Sequence, residues 1–139
     1  MRVVLQRVKE AALTADGVPC ASIGPEDNDE AMKYILEKIW YLRVFEDENG
    51  KLNKSVKDLG YEVLFVSNFT LYGDCRHGRR PSYSTAAPVE AARDMFERFK
   101  ELASQSQMRS SFGVFQADME IHQVCSGPVT LLLDSGKAF

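Results

Sequence analysis

Ser67-Asn68-Phe69-Thr70-Leu71-Tyr72 places two hydroxyls and an amide at the end of an apolar run, Val63-Leu64-Phe65-Val66. A short apolar run of this kind reads as a buried strand, so Ser67, Asn68 and Thr70 emerge where a core gives way to a surface. Backbone N–H groups near Phe69 and Thr70, at the strand's end, are suitable donors for a developing oxyanion. A second segment, Ser126-Gly127-Pro128-Val129-Thr130, sets the least hindered residue before a proline and ahead of the apolar run Val129 to Leu133. Glycine has no Cβ, so a Gly-Pro step can bring bare backbone close to a ligand. Each segment also has a plain structural reading. Ser, Asn and Thr after a strand commonly make turns and caps, and Gly-Pro commonly makes an ordinary loop.

The hydroxyl of Thr70 is a candidate nucleophile, yet no His, Asp or Glu stands in either segment to act as its base. The chain has two histidines, His77 and His122, and neither lies at ligand spacing from another strong ligand, so no metal or other cofactor is expected. A lone His122 on a strand near the Gly-Pro step reads as structural. Glu46-Asp47-Glu48 with Asn49-Gly50 reads as a hairpin turn. The three cysteines, Cys20, Cys75 and Cys125, are odd in number and widely spaced. They suggest neither a disulfide framework nor a Cys-x-x-Cys site, which points to reduced thiols in the cytoplasm.

At 139 residues, 45% of them hydrophobic, the chain reads as one domain, 1–139, with a single core. No apolar stretch approaches membrane-spanning length, and an N-terminus carrying Arg2 and Arg7 in an alternating pattern does not resemble a signal peptide. The net charge of −3 gives no general attraction to nucleic acid, so any RNA contact must rest on a local patch. Arg76, His77, Arg79 and Arg80, with Tyr83 beside them, form one candidate; a solvated loop is the competing reading.

Arg2 to Val8 alternates as a strand does, and Asp16-Gly17 signals a hairpin to a second run ending near Ile23. From Asp29 to Leu42, Met32, Ile35, Leu36, Ile39 and Trp40 recur at helical spacing, with Asp27 and Glu30 resembling a capping box. A second helix is predicted from Pro88, with Val89, Ala92, Phe96, Phe99 and Ala103 on one face. Ser104 to Ser111 reads as a loop, followed by two closing strands, 118–125 and 128–133. Strands in hairpins and in helix-separated positions together indicate a mixed α/β or α+β layer structure.

The two segments resemble the signature motifs of the D-aminoacyl-tRNA deacylases (D-tyrosyl-tRNA deacylases), written SQFTL and NxGPVT. Other blocks match in order: Leu5-Gln6-Arg7-Val8, Leu42 to Asp47 with Gly50-Lys51, Asn53 to Val56, Gly78 to Tyr83, and Phe115 to Met119. The resemblance implies a layered α/β/β fold with twisted, partly barrel-like, mostly antiparallel sheets and two main helices, assembled as a homodimer. It implies hydrolysis of the ester joining a D-amino acid to the 3′ end of tRNA, a proofreading step in translation, without metal or cofactor. Catalysis then falls to Ser67, Phe69 and Thr70, with Arg7, Asn68, Phe115, Ala117 and Met119 at the substrate. Gly127-Pro128, as a cis unit, becomes the chiral gate presented to the partner's site, with Arg7 fixing its orientation. Arg76, Arg79 and Arg80 would hold RNA. A gate that works by steric exclusion does not strongly reject glycine, so glycyl-tRNA is an expected secondary substrate.

Three departures from the family pattern stand out. Family members place a buried apolar strand after the position of Gly24-Pro25, whereas here Pro25 runs directly into Glu26-Asp27-Asn28-Asp29. Asn68 stands where the family has Gln, and Cys125 where it has Asn. These favour, as an alternative, a non-catalytic tRNA-binding relative that keeps the fold; a small-molecule esterase on the same scaffold is a third reading.

Overall fold

The computed structural model describes residues 1–15, 21–22 and 24–138. Its longest strands are the antiparallel pair β1 (Arg2–Ala15) and β7 (Met119–Asp134), which pair along twelve register positions. A two-residue strand, β2 (Ala21–Ser22), pairs with β1 on its other edge, at Arg2 and Val3. Asp16-Gly17, Cys20 and Ile23 lie outside the described residues. Gly24 to Asn28 then make a turn, Asp27 N–H donating to the Gly24 carbonyl at 3.3 Å, and lead straight into helix α1 (Asp29–Tyr41). No strand intervenes there among the described residues.

Helix α1 buries the stripe read from its spacing, Met32, Ile35, Leu36, Ile39 and Trp40. Its cap is Asn28, whose Oδ1 accepts from Ala31 N–H, and not the expected Asp27. Asp27 is drawn away because its carboxylate takes the Met1 ammonium and the Gly24 N–H. Strands β3 (Phe45–Glu46) and β4 (Leu52–Lys54) form the expected hairpin, its turn tied by Asp47, which accepts from the N–H groups of Asn49 and Lys51. A one-turn helix, α2 (Val56–Leu59), follows, closed by a reciprocal Ser55–Asp58 capping box.

Strand β5 (Val63–Phe65) carries the centre of the core. Phe65 meets Trp40 edge-on at 5.5 Å, Phe99 edge-on at 5.2 Å and Phe112 in a stack at 5.3 Å. Helix α3 (Val89–Gln105) supplies Phe99 together with Phe96 and Ala103, while Val89 stays half exposed at its first turn. Pro88 is its N-cap, so the helix begins one residue after the predicted start.

Two further expectations are corrected. Ser110 and Ser111 are not loop: they belong to β6 (Ser110–Phe112), which lies parallel to β5 because α3 serves as the crossover that parallel neighbours need. The two closing strands are one, β7, since β1 is long enough to pair with both halves. Among the described residues the result is a mixed α/β structure of three sheets, two of them antiparallel, that do not close into a barrel.

Candidate active site

The two candidate segments are positioned by different devices. After β5 the chain turns into a 3-10 helix, Phe69–Tyr72, capped by Asn68. The Oδ1 of Asn68 accepts from the Thr70 N–H at 3.0 Å and from the Thr70 hydroxyl at 2.5 Å. The capping reading and the site reading of this segment therefore coexist. The Thr70 N–H is occupied by the cap, whereas the first helical N–H, that of Phe69, has no acceptor within its own helix. Ser67 is partly buried and Thr70 exposed.

Gly127-Pro128 sits in a bulge of β7. Gln6 pairs with Thr130 and Val8 with Cys125, so the single residue Arg7 faces the four residues Ser126 to Val129. A proline inside a paired strand is tolerated only at such a defect, where no ladder N–H is demanded. The Gly127-Pro128 bond is cis, and Gly127 has φ of +122°, a region that disfavours a side chain. Arg7 fills the concave side of the bulge. Its Nε donates to the Ser126 carbonyl at 3.0 Å, its Nη1 to the Val44 carbonyl at 2.8 Å, and Glu46 lies 4.0 Å from its Nη2. A Cβ on Gly127 would come within 3.0 Å of Arg7 Nη2 and of the Val129 N. Arg7, Asn68 and Ser126 line one groove of about 1100 Å³, so both segments open onto a common space.

Other predicted site residues are placed less closely. Phe115 packs on Phe96 at 6.0 Å beneath the Arg93 guanidinium, Ala117 closes a turn onto the Val114 carbonyl, and Met119 begins β7 opposite Ala15. Among the described residues no hydrogen bond or ring contact joins these three to Ser67–Thr70. His122 is exposed, 3.9 Å from Glu120. In the basic loop Arg76 grips Asp74 through two bonds, at 2.9 and 2.7 Å, and holds that carboxyl at about 2. Arg76 is thereby paired within the loop, while Arg79 and Arg80 stand exposed. Beside them Phe69 and Tyr83 meet edge-on at 4.9 Å as an exposed aromatic ledge.

Val44 and Glu46 beside Arg7, and Asp74 beside Arg76, are contacts not read from the sequence. Backbone carbonyls carry no residue signature, and only Asp74, two residues before Arg76, offered a local cue. Among the described residues no cluster of His, Cys, Asp or Glu could hold a metal ion.

A layered α/β architecture with these two segments around one groove defines a known class. The family model described as D-Tyr-tRNA(Tyr) deacylase matches residues 4–134. The chain belongs to that family. The D-aminoacyl-tRNA deacylase of Thermosipho africanus is 47% identical over 149 aligned positions, covering all of both chains. That of Carboxydothermus hydrogenoformans is 46% identical over 144, covering 96% of this chain and 99% of the relative. Among solved structures, a c-Myc DNA unwinding element binding protein superposes with a TM-score of 0.86 at 34% identity, covering 96% of this chain and 98% of that one. A probable eukaryotic D-amino acid tRNA deacylase, 14% identical, shares the fold with a TM-score of 0.79 over 95% of this chain and 97% of that one.

Proposed function

We propose that this chain hydrolyses the ester bond of D-aminoacyl-tRNA, releasing the D-amino acid and free tRNA. Family membership supplies the reaction. The observation that carries the reading for this chain is the Gly127-Pro128 bulge, braced by Arg7 and opening with Asn68 onto one groove.

An aminoacyl ester is already activated, so the enzyme's work is positioning and oxyanion stabilisation. The Phe69 N–H is the favoured oxyanion donor. The Thr70 hydroxyl donates its hydrogen bond to Asn68 Oδ1, an amide oxygen that cannot serve as a general base. That supports a placing role for Thr70, with the 2′-OH of the terminal ribose helping to activate water. The Gly127-Pro128 carbonyls would hold the α-amino group and leave no room for an L side chain. Glycyl-tRNA escapes this exclusion and is a secondary substrate.

Gly127 and Pro128 are exposed on the protomer, and Val124 and Leu132 on the same strand are 45% and 59% exposed. This supports a homodimer in which each bulge enters the partner's site. Arg79 and Arg80 with the Phe69–Tyr83 ledge suit a tRNA acceptor end, phosphates by charge and bases by stacking. No helix is long and apolar enough to cross a membrane among the described residues, and a cytoplasmic setting fits the substrate.

Incubation with D-Tyr-tRNA and L-Tyr-tRNA tests the reading. Release from the D form alone is expected; binding without release would favour a non-catalytic relative, and cleavage of simple esters without tRNA an esterase. Thr70→Ala should retain substantial turnover, whereas a trapped acyl-Thr70 intermediate would reverse the assignment.

A further inference from the structure

We propose that Gln123 is a positioning residue for the Gly127-Pro128 gate, holding the bulge from the face of the sheet that Arg7 does not reach. The inference rests on the deacylase reading above. The bulge has two shoulders on β7, Cys125 before it and Thr130 after it, paired with Val8 and Gln6 of β1. The Thr130 shoulder continues into an unbroken ladder, Leu131 to Asp134 against Leu5 to Arg2. The Cys125 shoulder does not. Its partner Val8 lies between two register shifts, one at Arg7 and one at Lys9, so it is a single paired position with a defect on either side.

Backbone pairing therefore fixes the entry to the bulge weakly, and side chains must supply the rest. Arg7 does so on the inner face, where its side chain is 10% exposed, through the Ser126 and Val44 carbonyls. Successive strand residues point to opposite faces, so Gln6, next to Arg7, lies on the outer one. There the Gln123 amide nitrogen donates to Gln6 Oε1 at 3.1 Å and to Cys125 Sγ at 3.5 Å. A side-chain amide has two N–H donors, so both bonds form at once. Gln123 thereby ties the Cys125 shoulder to the β1 residue that pairs with the Thr130 shoulder, and so spans the mouth of the bulge.

The residue types show why this chain needs such a tie. Position 125 departs from the family pattern, Cys for Asn, and a thiol is only a weak hydrogen-bonding group where an amide would stand at the shoulder itself. The amide reappears two residues earlier, at Gln123, on the same face of β7. With the shoulder loose, the Gly127-Pro128 carbonyls would drift from the α-amino group they are to hold, and misplaced positioning groups cost turnover. Gln123 is thus placed to act on kcat and on D/L discrimination through the gate, without touching substrate.

The test compares Gln123→Met, which keeps the length of the side chain and removes both donors, in the wild type and in Cys125→Asn. In the wild type it should lower kcat on D-Tyr-tRNA about fivefold, the scale of one ordinary hydrogen bond. KM and the unfolding midpoint should stay unchanged, and the ratio of L- to D-Tyr-tRNA cleavage should rise. In the Cys125→Asn background the same substitution should cost less than about twofold, because the introduced amide takes over and the two sites are coupled. Hydrogen exchange at Val8 and Cys125 should quicken about threefold or more in Gln123→Met, while Leu131 and Leu133 keep their rates. The exchange needs no substrate: a wild type that fails to cleave D-Tyr-tRNA refutes the deacylase reading, and exchange still decides the brace. Unchanged exchange at Val8 and Cys125 overturns the proposal. So does an equal loss of kcat in both backgrounds, or a fall in the unfolding midpoint that accounts for the loss.

Discussion

The two edges of β1 are built from the same fourteen residues and have opposite fates. Along one, β7 satisfies the backbone nearly end to end, and even its interruption at Arg7 is filled by a guanidinium that takes the place of missing ladder bonds. Along the other, pairing among the described residues stops after Val3, and core side chains such as Val3, Ile39 and Phe65 line a groove. A strand's composition sets its tendency to extend, but only its neighbours decide whether an edge is stabilising or a template for another chain. The Gly127-Pro128 bulge lies on the satisfied edge, where a defect can be held rigidly.

The largest contrast should lie between adjacent residues of β5. Phe65→Ala removes a ring packed against Trp40, Phe99 and Phe112 and should cost about 3–5 kcal/mol in denaturant unfolding. Leu64→Ala, half-buried and outside the central cluster, should cost less, about 1–2 kcal/mol. Equal costs would mean that the second edge is covered as well as the first.

On the paired edge, Gly127→Ala places a methyl against Arg7 and Val129 at a φ of +122°. Cleavage of D-Tyr-tRNA should fall about 100-fold in kcat/KM, the scale of a 1 Å displacement of a positioning group. Arg7→Lys, which keeps the charge but cannot bridge the Ser126 and Val44 carbonyls in the same plane, should lose about tenfold. Wild-type activity in both variants would detach the bulge from catalysis.

In the basic loop, Arg79→Ala with Arg80→Ala should weaken tRNA binding and flatten its salt dependence while leaving the D/L ratio unchanged. Unchanged binding at low salt would make these residues plain surface.

The smallest effect belongs to the end where the second edge of β1 is still held, beneath Tyr72. Burial, with Asp27 nearby, pushes the Tyr72 phenol from near 10 up to about 12. A neutral form favoured in the folded state gives stability that is full below pH 10 and declines between pH 10 and about 12. The absorbance difference between wild type and Tyr72→Phe should show one phenol ionising at about 12; a midpoint near 10 breaks the expectation.

The helix stripes, the Asp47–Gly50 hairpin and the two signature segments were legible in the sequence, because periodicity and turn chemistry act over a few residues. The absence of a strand after Pro25 was legible too, by comparison with the family pattern. What the chain alone did not reveal depends on residues far apart in it. Arg7 reaches Val44 across 37 positions and Ser126 across 119, β6 lies parallel to β5 only because α3 carries it there, and Asp27 leaves its capping role for the N-terminal ammonium. Such pairings are selected by loop closure and shared burial once the core has formed, and no local propensity encodes them. The sequence by itself determined which segments could do chemistry and which faces are buried. The tertiary structure decided that the Gly-Pro step bulges against Arg7 and that, among the described residues, one edge of β1 is paired only at Arg2 and Val3, because both depend on which strand arrives to pair.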